Sequence, residues 1–310
     1  SEAEGVLTVS CAGGNVTACR LPVRRTAFAG TALRITVGGL IGGHSGNEIG
    51  KGRGNSSTLL GRVLCAMEKQ TEFRLVSAAG GLKDNAIPRE SEALIVAADE
   101  AAVCAAAAGL DAVLKREYQN TDPDVFVRAE TAKAGDVPMD AESTAKAVCL
   151  LTCLPNGVQV MSTDIPGLVQ TSLNMGILTT AADSLTASFC VRSSVASQKQ
   201  MLVERMQCLM ERLGGTAEVS GDYPAWEYRK DSALRNLMVE VYKEQYGREP
   251  KVEAIHAGVE CGLFSGKLPG LDCVSYGPDL TEIHTPRERM HIASVQRVWA
   301  YTLEILKRCK

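Results

Sequence analysis

Two of the chain's four histidines fall in the stretch 255 to 289, IHAGVECGLFSGKLPGLDCVSYGPDLTEIHTPRER, with Glu260 and Cys261 between them. Imidazole, carboxylate and thiol are the side chains of metal ligation and proton transfer, and the surrounding Gly and Pro residues mark loops, where such groups are displayed. His284 follows the short apolar run LDCVSY (271 to 276), which reads as a buried strand. It precedes Thr285-Pro286-Arg287-Glu288, which has the form of a helix-starting capping box. A histidine held at a strand-to-helix turn suits a ligand or a general acid/base; the alternative is a surface or hydrogen-bonding loop residue. His256, at the end of a predicted strand 252 to 255, reads as a structural, hydrogen-bonded histidine. His44 lies in GGLIGGHSGNEIGKGRG, where eight of the seventeen positions from 38 to 54 are glycine. Such density lets backbone approach a ligand closely, but no Gly-Lys-Ser/Thr follows to make a phosphate loop. Arg192 ends the strand-like SFCVRSS, and its plain reading is a strand-edge arginine paired with a carboxylate. Asn85 reads as a turn residue bonding its own backbone.

The elements that must carry these residues are legible as alternating strands and helices. Residues 5 to 11 and 16 to 23 read as strands closing a hairpin, and 32 to 40, 73 to 79, 121 to 129, 174 to 179 and 185 to 193 as further strands. Helices are predicted from about 57 to 69 behind Asn55 and Ser56 and from Asp140 through 151. Others are predicted over 198 to 213 up to Gly214-Gly215, over 232 to 246 up to Gly247, and over 294 to 308 with Trp299 in the core. The two strand-helix-strand halves hint at a duplicated layout, and the aromatic cluster GDYPAWEY (221 to 228) suggests a domain junction.

At 310 residues and 45% hydrophobic, the chain can bury a sizeable core. A net charge of -3, with basic residues scattered, gives no stripe for a phosphate backbone, so nucleic acid is disfavoured as a partner. The most apolar run, 93 to 110, contains Asp99 and Glu100 and reads as no membrane span. Eleven cysteines without CxxC pairs read as reduced cytosolic thiols, and nothing at the N-terminus marks export.

The motifs GGHSG, NAIPRE, HAGVECG and IHTPRE, in this order, resemble the M20 metallopeptidases, in particular the aminoacyl-histidine (Xaa-His) dipeptidases. The resemblance implies an α/β fold: the C-terminal part of a zinc-peptidase catalytic domain with an inserted ferredoxin-like α+β lid. The expected divisions are 1-22 (end of the N-terminal catalytic portion), 23-215 (lid) and 216-310 (C-terminal catalytic portion). It also implies two zinc ions, with His284 as one ligand, and His44 as the donor that stabilises the oxyanion. Asn174 and Arg192 would hold the substrate's carboxylate, and Gly258 and Glu260 would lie in a cleft loop against the dipeptide. A cytoplasmic homodimer is expected. The family's His-x-Asp element, bridging aspartate and paired glutamates have no counterpart here, so the chain is expected to be an incomplete, by itself inactive part of such an enzyme. Two alternatives stand beside this: a non-catalytic, self-associating lid or binding module, and another M20 amidohydrolase or aminopeptidase.

Overall fold

The computed structural model describes residues 3 to 133, 135 to 283 and 285 to 309. His284 therefore lies outside the described residues. The first two strands, β1 (Val6–Cys11) and β2 (Gly13–Pro22), are separated by Ala12 alone. One residue is too few for a hairpin turn. The chain instead runs straight from one sheet into another, which corrects the predicted hairpin. β1 pairs in parallel with β13 (Lys251–Ile255), whereas β2 lies between β11 (Ser184–Ser193) and β12 (Thr216–Tyr223).

β2 belongs to a nine-stranded sheet whose pairings are all antiparallel. It contains two β-α-β-β-α-β units of ferredoxin-like topology. In one, β3 (Thr31–Gly38), α1 (Ser56–Glu68), β5 (Phe73–Gly80), β7 (Ser91–Ala97), α2 (Glu100–Glu117) and β8 (Phe126–Thr131) follow in sequence, with sheet order β5-β7-β3-β8. The other comprises β2, α3 (Ala141–Cys153), β10 (Val169–Thr180), β11, α4 (Ala196–Leu213) and β12, with order β12-β2-β11-β10. The first unit is inserted whole between β2 and α3 of the second. The duplicated layout glimpsed in the sequence is thus a nested pair. The sheet's strands run from Gly13 of β2 to Tyr223 of β12.

The helices bury their apolar stripes on the sheet, with Leu60 and Leu64 of α1 and Met206 of α4 meeting Ile35, Leu75, Ile95 and Phe189 in one core. Asn55, Asp140 and the left-handed Gly214 cap helices where the sequence predicts them. The units meet where β5 joins β10 through the pair Leu178 and Gly80. Gly81 there has φ +70°, and a Cβ on it would lie 1.9 Å from the Gly176 carbonyl oxygen.

A smaller unit holds β1, β13, α5 (Ala233–Tyr246), α6 (Glu260–Lys267) and α7 (Ile292–Arg308) around Leu7, Met238, Val241, Tyr242, Tyr301 and Ile305. Ser232 caps α5, and Gly247 ends it in the left-handed region. Three predictions fail here. Residues 271 to 276 form no strand but a single bridge, in which the Ser275 and Thr8 backbones exchange bonds of 2.9 and 2.8 Å. The capping-box residues start no helix: the Thr285 hydroxyl donates back to the Glu282 carbonyl at 2.6 Å, and α7 begins at Ile292 behind His291. Trp299 is 63% exposed, because α7 turns the row of Ser294, Tyr301 and Ile305 inward. All eleven cysteines are free, and among the described residues no helix is long and apolar enough to cross a membrane.

Gly81→Ala is expected to destabilise the fold by about 2 kcal/mol or more, from left-handed strain plus a backbone clash. Gly109→Ala, on α2 with nothing near its would-be Cβ, is expected to stabilise by up to about 1 kcal/mol. Urea unfolding of both variants beside the parent checks the pair; equal midpoints would contradict the close crossing at Gly81.

Candidate functional site

Strand register creates the centre of the site. Arg192 on β11 faces Ser172 on β10 and Gly14 on β2, and Gly14 faces Tyr223 on β12. Directly opposed residues of antiparallel strands share a face, so these four form one row across four strands. Gly14 is needed in that row, since a Cβ there would lie 2.7 Å from the Tyr223 hydroxyl. Tyr223 lies over the gap and accepts a hydrogen bond from Arg192 Nη1 at 3.2 Å. Gly258 packs against the other part of the same ring, its would-be Cβ 2.8 Å from it.

Arg192 is 8% exposed, and its Nε is buried without a partner. No ion pair among the described residues includes it. A buried guanidinium without a counter-charge costs several kcal/mol. A tyrosine hydroxyl accepts one of its hydrogen bonds but does not neutralise it. The plain strand-edge reading, in which a surface carboxylate pairs with this arginine, is not what the fold shows.

Two histidines border the guanidinium. His256, one residue beyond β13, is 7% exposed, with Nε2 2.7 Å from Ser172 Oγ and Nδ1 buried without a partner. Burial, then the nearby Arg192 charge, lowers its pKa to about 4, so the ring is neutral at neutral pH. His44 lies on β4 (Gly43–His44), paired with β6 (Ala86–Ile87). Its Nδ1 accepts from the backbone N–H groups of Gly46 and Asn47 at 3.2 and 3.3 Å, so the neutral ring carries its proton on Nε2. Burial and then Arg192 lower the pKa of His44 as well, against the opposing pull of Glu48. The Glu48 carboxylate accepts from the His44 backbone N–H at 2.9 Å, and this bond leads the causes that lower its own pKa to about 2. The loop after His44 reaches the smaller unit, since a Cβ on Gly46 would lie 2.9 Å from the His256 carbonyl oxygen. Four buried side-chain polar atoms lack partners among the described residues, and Ser45 Oγ, Arg192 Nε and His256 Nδ1 are three of them. Buried polar groups are nearly always bonded, so orphans gathered at one junction point to a ligand.

The other expected site residues separate. Asn174 is 1% exposed; its Nδ2 donates to the carbonyls of Asp84 and Ala86 at 3.0 and 2.8 Å, and its Oδ1 accepts from Asn55 at 3.1 Å. Both N–H donors of that amide are thus engaged within the protein. The amide fastens β6, the strand paired with the one carrying His44. Asn85 lies in a turn, its backbone carbonyl accepting from the Ser45 N–H at 2.9 Å rather than its side chain bonding the local backbone. Glu260 is exposed at the first position of α6, with no described hydrogen bond or ion pair to Arg192, His44 or His256. Among the described residues no group of three or more His, Cys, Asp or Glu side chains could hold a metal ion, and His284, the one zinc ligand expected from this chain, lies outside them. Ser172 and Gly14 carried no signal in the sequence, whereas Tyr223 lies in the aromatic cluster and Ser45 in the GGHSG motif.

The chain joins a nested double ferredoxin-like sheet to a site with a buried arginine that has no counter-charge among the described residues. The chain is similar to two dipeptidases. It is 36% identical over 311 residues to the cytosol non-specific dipeptidase of Escherichia coli (strain K12), an alignment covering 99% of this chain and 64% of that protein. The crystal structure of aminoacylhistidine dipeptidase from Vibrio alginolyticus matches it with a TM-score of 0.95 at 33% identity, again over 99% of this chain and 64% of the other. The chain thus spans just under two thirds of the length of either relative. No protein-family model matches it.

The neutral state of His256 has a stability consequence. Its folded pKa lies below the ordinary value of 6.5, so its contribution is complete above that pH and is lost as pH falls toward 4. The loss would reach about 3 kcal/mol at the acid end. Thermal melts between pH 7 and 5, above the range where Glu48 titrates, are expected to show this fall, and His256→Asn is expected to flatten it. An unchanged slope in the variant would contradict a buried neutral ring.

Proposed function

We propose that this chain is the substrate-gripping part of an M20-type metallo-dipeptidase acting on Xaa-His dipeptides. In this reading the peptide's C-terminal carboxylate lies against Arg192, and His44 Nε2–H faces the oxygen of the scissile carbonyl. The observation that carries it is the buried Arg192 guanidinium, which has no anionic partner among the described residues. A planar fork with free N–H groups is the chemistry for a carboxylate. A neutral histidine whose Nδ1 is already held by backbone donors is preorganised to give its other N–H to charge developing on an oxygen. Both relatives bear dipeptidase names, one non-specific and one aminoacylhistidine, and the preference for histidine rests on the second and on the motifs. The zinc implied by the motifs finds no ligand set among the described residues. The role proposed for this chain is therefore confined to holding the carboxylate and donating to the carbonyl oxygen. His44 and Arg192 stand together within one chain, which supports their acting in one subunit; a cytosolic homodimer belongs to the same reading.

A panel of Xaa-His dipeptides and their C-terminal amides, offered with zinc to this chain and to a version extended to the length of the relatives, tests the proposal. The extended protein is expected to cleave the free acids, to lose activity on chelation and to spare the amides. Arg192→Gln in that protein is expected to raise KM by about tenfold to a hundredfold, the loss of a charge-assisted hydrogen bond. Equal cleavage of acids and amides would overturn the role of Arg192, and no cleavage by a folded extended protein would overturn the dipeptidase reading.

A further inference from the structure

We propose that His256 is a second contact to the substrate's terminal carboxylate, donating Nδ1–H beside Arg192 while Ser172 sets its tautomer through Nε2. This rests on the carboxylate reading of Arg192 given above. The argument begins with the register: Ser172 and Arg192 are directly opposed on β10 and β11, so whatever Ser172 holds is brought beside the guanidinium. Ser172 is buried, and its hydroxyl meets His256 Nε2 at 2.7 Å.

Counting hydrogens assigns the tautomer. If Ser172 donates to Nε2, the hydroxyl hydrogen is satisfied and the one buried group left over is Nδ1–H. If the ring donates instead, the hydroxyl hydrogen and the Nδ1 lone pair are both left over. The first arrangement leaves fewer buried groups unpaired, so the proton sits on Nδ1. Nδ1 is one of the orphaned buried atoms, as is Nε of Arg192. A cation whose Nε is unpartnered and a neutral N–H donor without a partner, both buried at one junction, match one carboxylate with two acceptor oxygens. A buried neutral ring is also the state in which this nitrogen donates without adding a second charge to the site. Ser172 is a positioning residue in this scheme, because it acts through the imidazole.

The two amide isosteres separate a substrate contact from a merely structural one. Asparagine places its amide at the position of Nδ1, glutamine at that of Nε2. The 310-residue chain and its variants would be titrated calorimetrically with alanyl-histidine and with its C-terminal amide. The parent is expected to prefer the free acid. His256→Asn is expected to bind the acid within about threefold of the parent. His256→Gln is expected to bind it at least tenfold more weakly with little change for the amide, as loss of a hydrogen bond to a charged group requires. Ser172→Ala is expected to fall between them. Glutamine equal to or better than asparagine would show that the bond to Ser172 is the purpose of the residue, and the proposal would fall while the Arg192 reading stood. A parent that does not distinguish acid from amide would remove both. Imidazole nitrogen NMR of the parent protein needs no variant to fold: His256 is expected to be protonated on Nδ1, and protonation on Nε2 would overturn the assignment.

Discussion

A guanidinium enclosed by protein with no carboxylate beside it imposes conditions on everything near it. The site around Arg192 meets them without neutralising the charge. Tyr223 accepts one N–H across the gap left by Gly14, and the two histidines nearby are kept uncharged by burial and by the arginine itself. An acidic side chain in the row would have satisfied the arginine internally and closed the site to an anion. Its absence from the described ion pairs leaves part of the electrostatic cost to be offset by what binds.

The nested fold explains how residues so far apart in sequence serve one charge. The outer ferredoxin-like unit supplies the row itself, because β2 runs between β11 and β12 and brings residue 14 beside 192 and 223. The inserted unit supplies His44 from β4, whose partner strand β6 is fastened by Asn174 of the outer unit. The smaller unit supplies His256 from the end of β13. The joint between that unit and the sheet is secured where Trp226 and Cys11 exchange backbone bonds of 3.0 Å, directly beside the row. The aromatic cluster read as a junction is the place where the sheet ends and the smaller unit begins.

Asn174 fastens the inserted unit to the outer one from within the sheet. Its amide is consumed by two carbonyls of the 84 to 86 segment and by Asn55, the cap of α1. One buried side chain thus ties the inserted unit's first helix and the His44 platform to the central strand β10. Hydrogen bonds of this enclosed kind are costly to leave half made, so the position is constrained by the fold as tightly as by any ligand.

Local chemistry was readable from the sequence wherever it acts over one or two turns. Asn55, Asp140 and Ser232 cap the helices they precede, Gly214 and Gly247 end theirs, and the hairpin of β10 and β11 follows from its own pattern. The same local signs misled where distant partners compete: Thr285 to Glu288 has the letters of a cap but turns back on Glu282, and Val6 to Pro22 has the letters of a hairpin but serves two sheets. Trp299 has a core residue's composition on a helix whose buried face is set by Tyr301 and Ile305. The row of Ser172, Arg192, Gly14 and Tyr223, and the orphaned nitrogen of His256 above it, were decided by tertiary structure alone. Register between strands separated by up to about two hundred residues is set by the packing of the whole sheet, and no local run of residues encodes it.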